Sequence, residues 1–276
     1  MASSSSAVLA KAAHSMKVSP PLNGARGKSR STMTQTVVCM KWGTRYPGDY
    51  VNCLWSMIQR NTKRDTRLIC YTDDTEGIDP AVACYPIPAL VLPERIKNKP
   101  WRKIGLWRAD LEGVSGNVLF MDLDVVITGS IDEFFDFAPE KTFCVIENWT
   151  QPGSKIGNTS VYRFRVGSHP YLYEELAADG EGKLALFPNS QTYISRTIRE
   201  ITYWPEPWCQ SFKHCLMPRW PMNFFKVTPL PPETKVVCFT GKPDPDEARD
   251  GRWPAVWYKK FYKYVRPTPW IAEHWQ

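Results

Sequence analysis

From Thr36 onward, short β-branched or apolar runs alternate with longer stretches whose apolar residues recur at helical spacing. This is the pattern of a parallel sheet covered by helices, because a strand parallel to its neighbour needs a crossover long enough to hold a helix. "TVVCM" reads as the first strand, Tyr50 to Arg60 as a helix with Val51, Leu54, Trp55 and Ile58 on one face, and "RLICYT" as the second strand. "VACYPIP" reads as a third strand, Trp101 to Leu111 as a helix, and "NVLFMDLDVVI" as a central strand pair. Strands in "TFCVIE" and "TSVYRFRV", helices near Tyr171 to Ala178 and Gln191 to Glu200, and a last strand in "KVVCF" complete an α/β chain without internal repeats.

The central run carries two carboxylates, Asp122 and Asp124. Two like charges left unpaired beside a core cost several kcal/mol per ion, so something positive must sit against them. Residues two apart on an extended chain point the same way, and the carboxyl end of a strand is where open α/β sheets bind ligands. Both oxygens could therefore hold a hard dication, with water and a diphosphate filling its other positions. Helix-capping or turn aspartates are the plainer alternative.

The formal net charge of +7 is explained by its location: Lys11, Lys17, Arg26, Lys28, Arg30, Lys41 and Arg45 all precede the first acid, Asp49, and the remainder is neutral. With no basic domain beyond that point, a nucleic-acid partner is not expected. Residues 1–33 are rich in Ser and Ala and hold no acid, the composition of a transit peptide or a disordered leader; translation from Met33 is the other option. Residues 34–276 are then one domain. Eight scattered cysteines without a C-x-x-C pair argue for a reducing, cytoplasmic setting and against zinc, although organelle targeting by residues 1–33 stays open. No apolar stretch approaches the length of a membrane span. Between Trp204 and Pro232, prolines and tryptophans are dense enough to block helix and central strand alike, so an ordered loop layer is expected. The stretch 252–270, "RWPAVWYKKFYKYVRPTPW", interleaves rings and cations without an acid, as in a helix that docks by its rings or lies on an anionic membrane.

"WRKIGLWRADLEGVSGNVLFMDLDVVI" resembles the Lys-bearing helix and Asp-x-Asp strand of the GT-A glycosyltransferases, particularly the glycogenin-like group, and further matches follow in family order from residue 36 to about 246. The resemblance implies a Rossmann-like mixed sheet flanked by helices and transfer of a sugar from a nucleotide-diphosphate sugar, in the first place a UDP-sugar. By the same resemblance Asp122 and Asp124 would ligate Mn2+ or Mg2+ and serve catalysis, and Lys103 would reach the donor phosphates or the donor sugar. Thr44 and Tyr46 in "VVCMKWGTRYPGDY" would hold the nucleoside, with Asp74 in "LICYTDD" near it. Asn158 in "GNTSVYRF" would bond the transferred sugar, and Gln191 in "NSQTYIS" matches a catalytic Gln. Gly241 and Lys242 in "VVCFTGKPDPDE" would cradle the diphosphate. This chain departs from the family at Ser160, where Gly is usual, at Ser190 in an acidic position, and at Phe239 and Thr240 where a ligand His is usual; Thr240 or Asp244 are candidate third ligands. The acceptor is not identified by the sequence; a glycan is one option, and a lipid-linked acceptor is another that the basic and aromatic stretch 252–270 would suit.

Two other readings stand beside this one. A haloacid-dehalogenase-like phosphatase also uses Asp-x-Asp after an apolar strand, but early in its domain and with a later Gly-Asp-x-x-x-Asp that is absent here. A degenerate fold that binds a sugar nucleotide or glycan without turnover would account for the missing His.

Overall fold

The computed structural model describes residues 34–276. In chain order the elements are β1 (Gln35–Lys41), α1 (Gly48–Arg60), β2 (Thr66–Thr72), β3 (Ala83–Pro86), β4 (Asn117–Met121), β5 (Val125–Ile127), α2 (Asp132–Asp136), β6 (Phe143–Glu147), β7 (Gly157–Arg165), α3 (Tyr171–Ala178), α4 (Gly180–Leu186), α5 (Ser190–Thr197), β8 (Thr202–Tyr203), β9 (Cys209–Ser211), β10 (Val236–Cys238), α6 (Pro245–Arg249) and α7 (Pro269–His274). The leader expected at 1–33 lies outside the described residues.

Seven strands form the main sheet in the order β3-β2-β1-β4-β7-β6-β8, with β7 antiparallel to both β4 and β6. The sheet is therefore mixed, as the resemblance implies, and not parallel throughout as the alternation of strand and helix suggests, because β7 runs back between β4 and β6. Period-two alternation sends Val37 and Cys39 of β1 to one face, where α1 packs Val51, Leu54, Met57 and Ile58 against them. Val38 and Met40 face the other side, against Trp101, Ile104 and Trp107. Asp49 in the first turn of α1 and Arg60 in its last complement the helix dipole. Met57, rather than the half-buried Trp55, completes the buried stripe of that helix.

The structure revises four further sequence expectations. The helix expected at Trp101 to Leu111 is a 3-10 run, Pro100–Trp107, and Leu111 instead bridges Val114 in a turn. The expected central strand pair divides between sheets: β4 stays in the main sheet, whereas β5 joins β10 and β9 in a second one. The Pro-rich layer contains one short strand after all, β9, three residues long and parallel to β10. The stretch 252–270 has no long helix, only a 3-10 turn at Trp257–Lys259 before α7 begins.

One buried cation organises the rim of the main sheet. Arg163 of β7 is fully buried, and its guanidinium donates to the carbonyls of Phe134, Phe135, Phe137 and Ala138 at 2.8, 3.1, 2.5 and 2.6 Å. Those carbonyls belong to α2 and the turn after it, whose oxygens have no partner within the helix.

Candidate functional site

The strand order reverses direction at β1 and β4, which are parallel neighbours: β2 and β3 lie beyond β1, and the later strands lie beyond β4. Loops leaving two such strands diverge and open a crevice between them. The loop after β1 supplies Trp42 to Tyr46, and the link after β4 supplies Asp122, Leu123 and Asp124. Main-chain bonds fix that link on both sides. Asp122 N donates to Ser160 O at 2.8 Å, and Phe239 N donates to Asp124 O at 3.0 Å.

Each carboxylate has its own partner. Lys103 Nζ lies 2.7 Å from Asp122 Oδ2 and 2.5 Å from Oδ1. Tyr46 Oη donates to Asp124 Oδ2 at 3.0 Å. Burial, and then the negative charge of Asp122, push the Asp124 carboxyl up to about 7, against the opposing pull of Lys103, the Tyr46 hydroxyl and Arg45. Burial and the Asp124 charge in turn raise the Tyr46 phenol. The site thus has an acidic centre only partly compensated by its own side chains.

Two adjoining cavities share Arg45, Pro100, Lys103, Asp122 and Asp124 as a common wall. The first, about 290 Å³, is completed by Trp42, Gly43, Thr44 and Tyr46. The second, about 360 Å³, reaches Asn158, Ser190, Gln191, Thr240 and Gly241. Asn158 is buried, and its Oδ1 accepts from Ser160 N at 3.0 Å. The Asn189 side chain caps α5 by accepting from Thr192 N at 2.9 Å, which sets Ser190 and Gln191 on the cavity wall.

Of the sequence candidates, Thr44, Tyr46, Lys103, Asp122, Asp124, Asn158, Gln191 and Gly241 come together here. Asp74 and Lys242 do not line either cavity. Asp74 is drawn to Lys41, whose Nζ lies 3.3 Å from its Oδ2. Lys242 is drawn to the capping box of α6, with Nζ 2.7 Å from Asp244 Oδ2 and 2.6 Å from Glu247 Oε1. Tyr46 turns its hydroxyl to Asp124 and its ring to Tyr50, with centroids 4.7 Å apart, rather than offering a free stacking face. Arg45 was missing from the sequence candidates, yet it walls both cavities and reaches Asp244 Oδ1 at 3.4 Å. Its only signal was position, four residues past the end of β1.

Among the described residues, no three His, Cys, Asp or Glu side chains converge as a metal cluster. Two carboxylates are present, Thr240 is among the residues lining the second cavity, and its Oγ1 is buried without a hydrogen-bond partner. Oxygen donors of this kind fit a hard dication that keeps water and substrate oxygens in its remaining positions.

An open α/β sheet with a crevice at its switch point and an acid pair on the crevice floor is an architecture that can receive a ligand at that crevice. Comparison with solved structures narrows the class. The chain is similar to the galactosyltransferase LgtC in complex with donor and acceptor sugar analogues, with a TM-score of 0.53 at 11% identity over 76% of this chain and 89% of that one. It is also similar to the bifunctional glycosyltransferase WbbM (0.52, 12%, 91% of this chain, 52% of that chain) and to the glycosyltransferase GlyE of Streptococcus pneumoniae TIGR4 (0.51, 10%, 77%, 56%). The chain spans about half the length of those two. No family model and no curated protein sequence matches it. The fold is that of the GT-A glycosyltransferases.

Proposed function

We propose that this protein transfers a sugar from a nucleotide-diphosphate sugar, with a UDP-sugar as the first candidate donor, to a glycan or lipid-linked acceptor. One observation carries the reading: two like-charged carboxylates, one with its proton affinity raised toward neutrality, stand at the C-terminal end of β4 on the floor of a double cavity. An acid pair so placed is costly unless a cation completes it.

In this reading Asp122 and Asp124 hold Mn2+ or Mg2+, with Thr240 Oγ1 as a candidate further donor. A bound dication supplies positive charge to the diphosphate as it leaves. Trp42, Gly43 and Thr44 form the nucleoside wall, and Lys103 and Arg45, on the wall shared by the two cavities, offset the phosphate charge. Asn158 and Gln191 face the second cavity, where the sugar would lie and where their amides can orient it for attack.

The alternative, a fold that binds a sugar nucleotide without turning it over, draws on one observation: Lys103 already neutralises Asp122, and among the described residues no third acid or His converges with the pair as a metal cluster. Incubation with Mn2+ and a panel of nucleotide sugars separates the readings. Release of nucleoside diphosphate that disappears in Asp124→Ala supports transfer. Tight nucleotide binding with no release supports the non-catalytic reading, and cleavage of phosphate monoesters supports a phosphatase.

A further inference from the structure

Residues 207–232 and 251–272 contain no Asp or Glu, and the two segments pack on one another. Asn223 Nδ2 donates to the carbonyls of Tyr262 and Tyr264 at 3.2 and 2.8 Å, and Arg266 reaches Phe224 O at 3.3 Å. Phe224 stacks on Tyr264 with centroids 4.7 Å apart, and Trp220 meets Phe261 edge-on at 5.9 Å.

Their outer surface is apolar. Apart from Val91 and Leu186, every exposed large hydrophobic side chain among the described residues belongs to these two segments. Trp257 is 84% exposed, Phe225 70%, Phe261 67% and Trp220 57%. Rings concentrated in this way on an otherwise ordinary surface mark an interaction site.

The charge on this face has one sign. Lys226, Lys259, Lys260 and Lys263 stand among the rings, and of the cations in the two segments only Arg252 is ion-paired, to Asp246 and Asp250, among the described residues. The same sign continues inward, because a cavity of about 570 Å³ between the segments is lined by Lys213, Arg219, Lys263, Trp220 and Trp253 with no carboxylate on its wall. Lys213 Nζ also donates to Thr240 O at 2.9 Å, so the face adjoins the segment that walls the second cavity of the candidate site.

We propose that this face docks the protein peripherally on an anionic lipid bilayer. Tyr and Trp rings settle at the headgroup level, where an apolar body and a polar tip are both satisfied, while lysine stems reach past them to lipid phosphates. No helix among the described residues is long and apolar enough to cross a membrane, so the contact is made from one side. A second copy of the chain is a poor occupant: a two-fold contact would set unpaired cations against identical cations.

Flotation with phosphatidylcholine vesicles, and with vesicles containing about one-third phosphatidylglycerol, tests the proposal. Binding to the anionic vesicles should be about ten-fold stronger or more in low salt and should collapse in high salt. Lys259→Glu with Lys260→Glu, and separately Trp257→Ser with Phe261→Ser, should abolish it while the thermal unfolding midpoint stays unchanged. No vesicle binding by the unmodified chain, or equal binding to both vesicle types, overturns the proposal. A concentration-dependent dimer that the ring variants disperse, without vesicle binding, overturns it in favour of self-association. Neither donor nor metal is needed for vesicle binding, so its failure would leave the transfer reading untouched.

Discussion

The Lys103 ammonium grips Asp122 through both carboxylate oxygens, at 2.5 and 2.7 Å, from a 3-10 run nineteen positions earlier in the chain. Lys103 is itself buried, so each charge is the other's main compensation. The pair fixes one arm of the Asp-x-Asp link and brings a positive charge to the shared wall of both cavities.

Replacing Lys103 should therefore weaken nucleotide binding beyond the loss of one contact. A charge-assisted hydrogen bond is worth about 1.5–3 kcal/mol, so Lys103→Met should raise the dissociation constant for a nucleoside diphosphate roughly 10- to 100-fold. Calorimetric titration of both proteins checks this. A change below about three-fold would mean that Lys103 serves only the fold.

Acid–base behaviour follows from Asp124. Its carboxyl is raised to about 7 in the folded chain, above the ordinary carboxylate range that holds when the chain is unfolded. A group raised by folding contributes stability that is fully present below its unfolded pKa and is lost as pH rises through its folded one. Stability of the metal-free protein should accordingly fall between about pH 4 and 7. Urea unfolding across that range should show the slope, and Asp124→Asn should flatten it. An identical slope in the variant would refute the assignment.

Arg163 tests the scaffold rather than the chemistry. Its truncation to Ala would strand several buried carbonyls around α2 at once. Unpartnered buried acceptors cost about 1–3 kcal/mol each before relaxation, so a loss of about 3 kcal/mol or more in urea unfolding is expected. A loss under about 1 kcal/mol would show that water or a local shift satisfies those oxygens instead.

The alternation of strand and helix was legible because each element buries a face whose period can be read from the residues, as in β1 and α1. Asp122 and Asp124 were legible for the opposite reason, since charges in an apolar run violate that pattern and require compensation. The sequence could not show that Lys103 would take Asp122 directly, because the pairing depends on how a 3-10 run docks on the sheet. Arg163 was hidden because a cation on a strand reads as outward-facing, while its true partners are carbonyls of an element joined to it only in the fold. The partners of Lys242 were equally hidden: the resemblance of Gly-Lys-Pro to a phosphate cradle does not show that Asp244 and Glu247, two and five residues on, hold the ammonium in the folded chain. The departure of β5 from the main sheet was equally unreadable, since "NVLFMDLDVVI" shows one apolar run and the turn lies within it.

Whether the acid pair holds a dication beneath a diphosphate is decided by titrating Mn2+ into the protein with and without UDP, for the unmodified chain and for Asp122→Asn and Asp124→Asn. UDP should tighten Mn2+ binding, Mn2+ should tighten UDP binding by the same factor, and both effects should vanish in the two variants. UDP binding that ignores Mn2+, or coupling that survives loss of either carboxylate, would contradict a dication held by the pair.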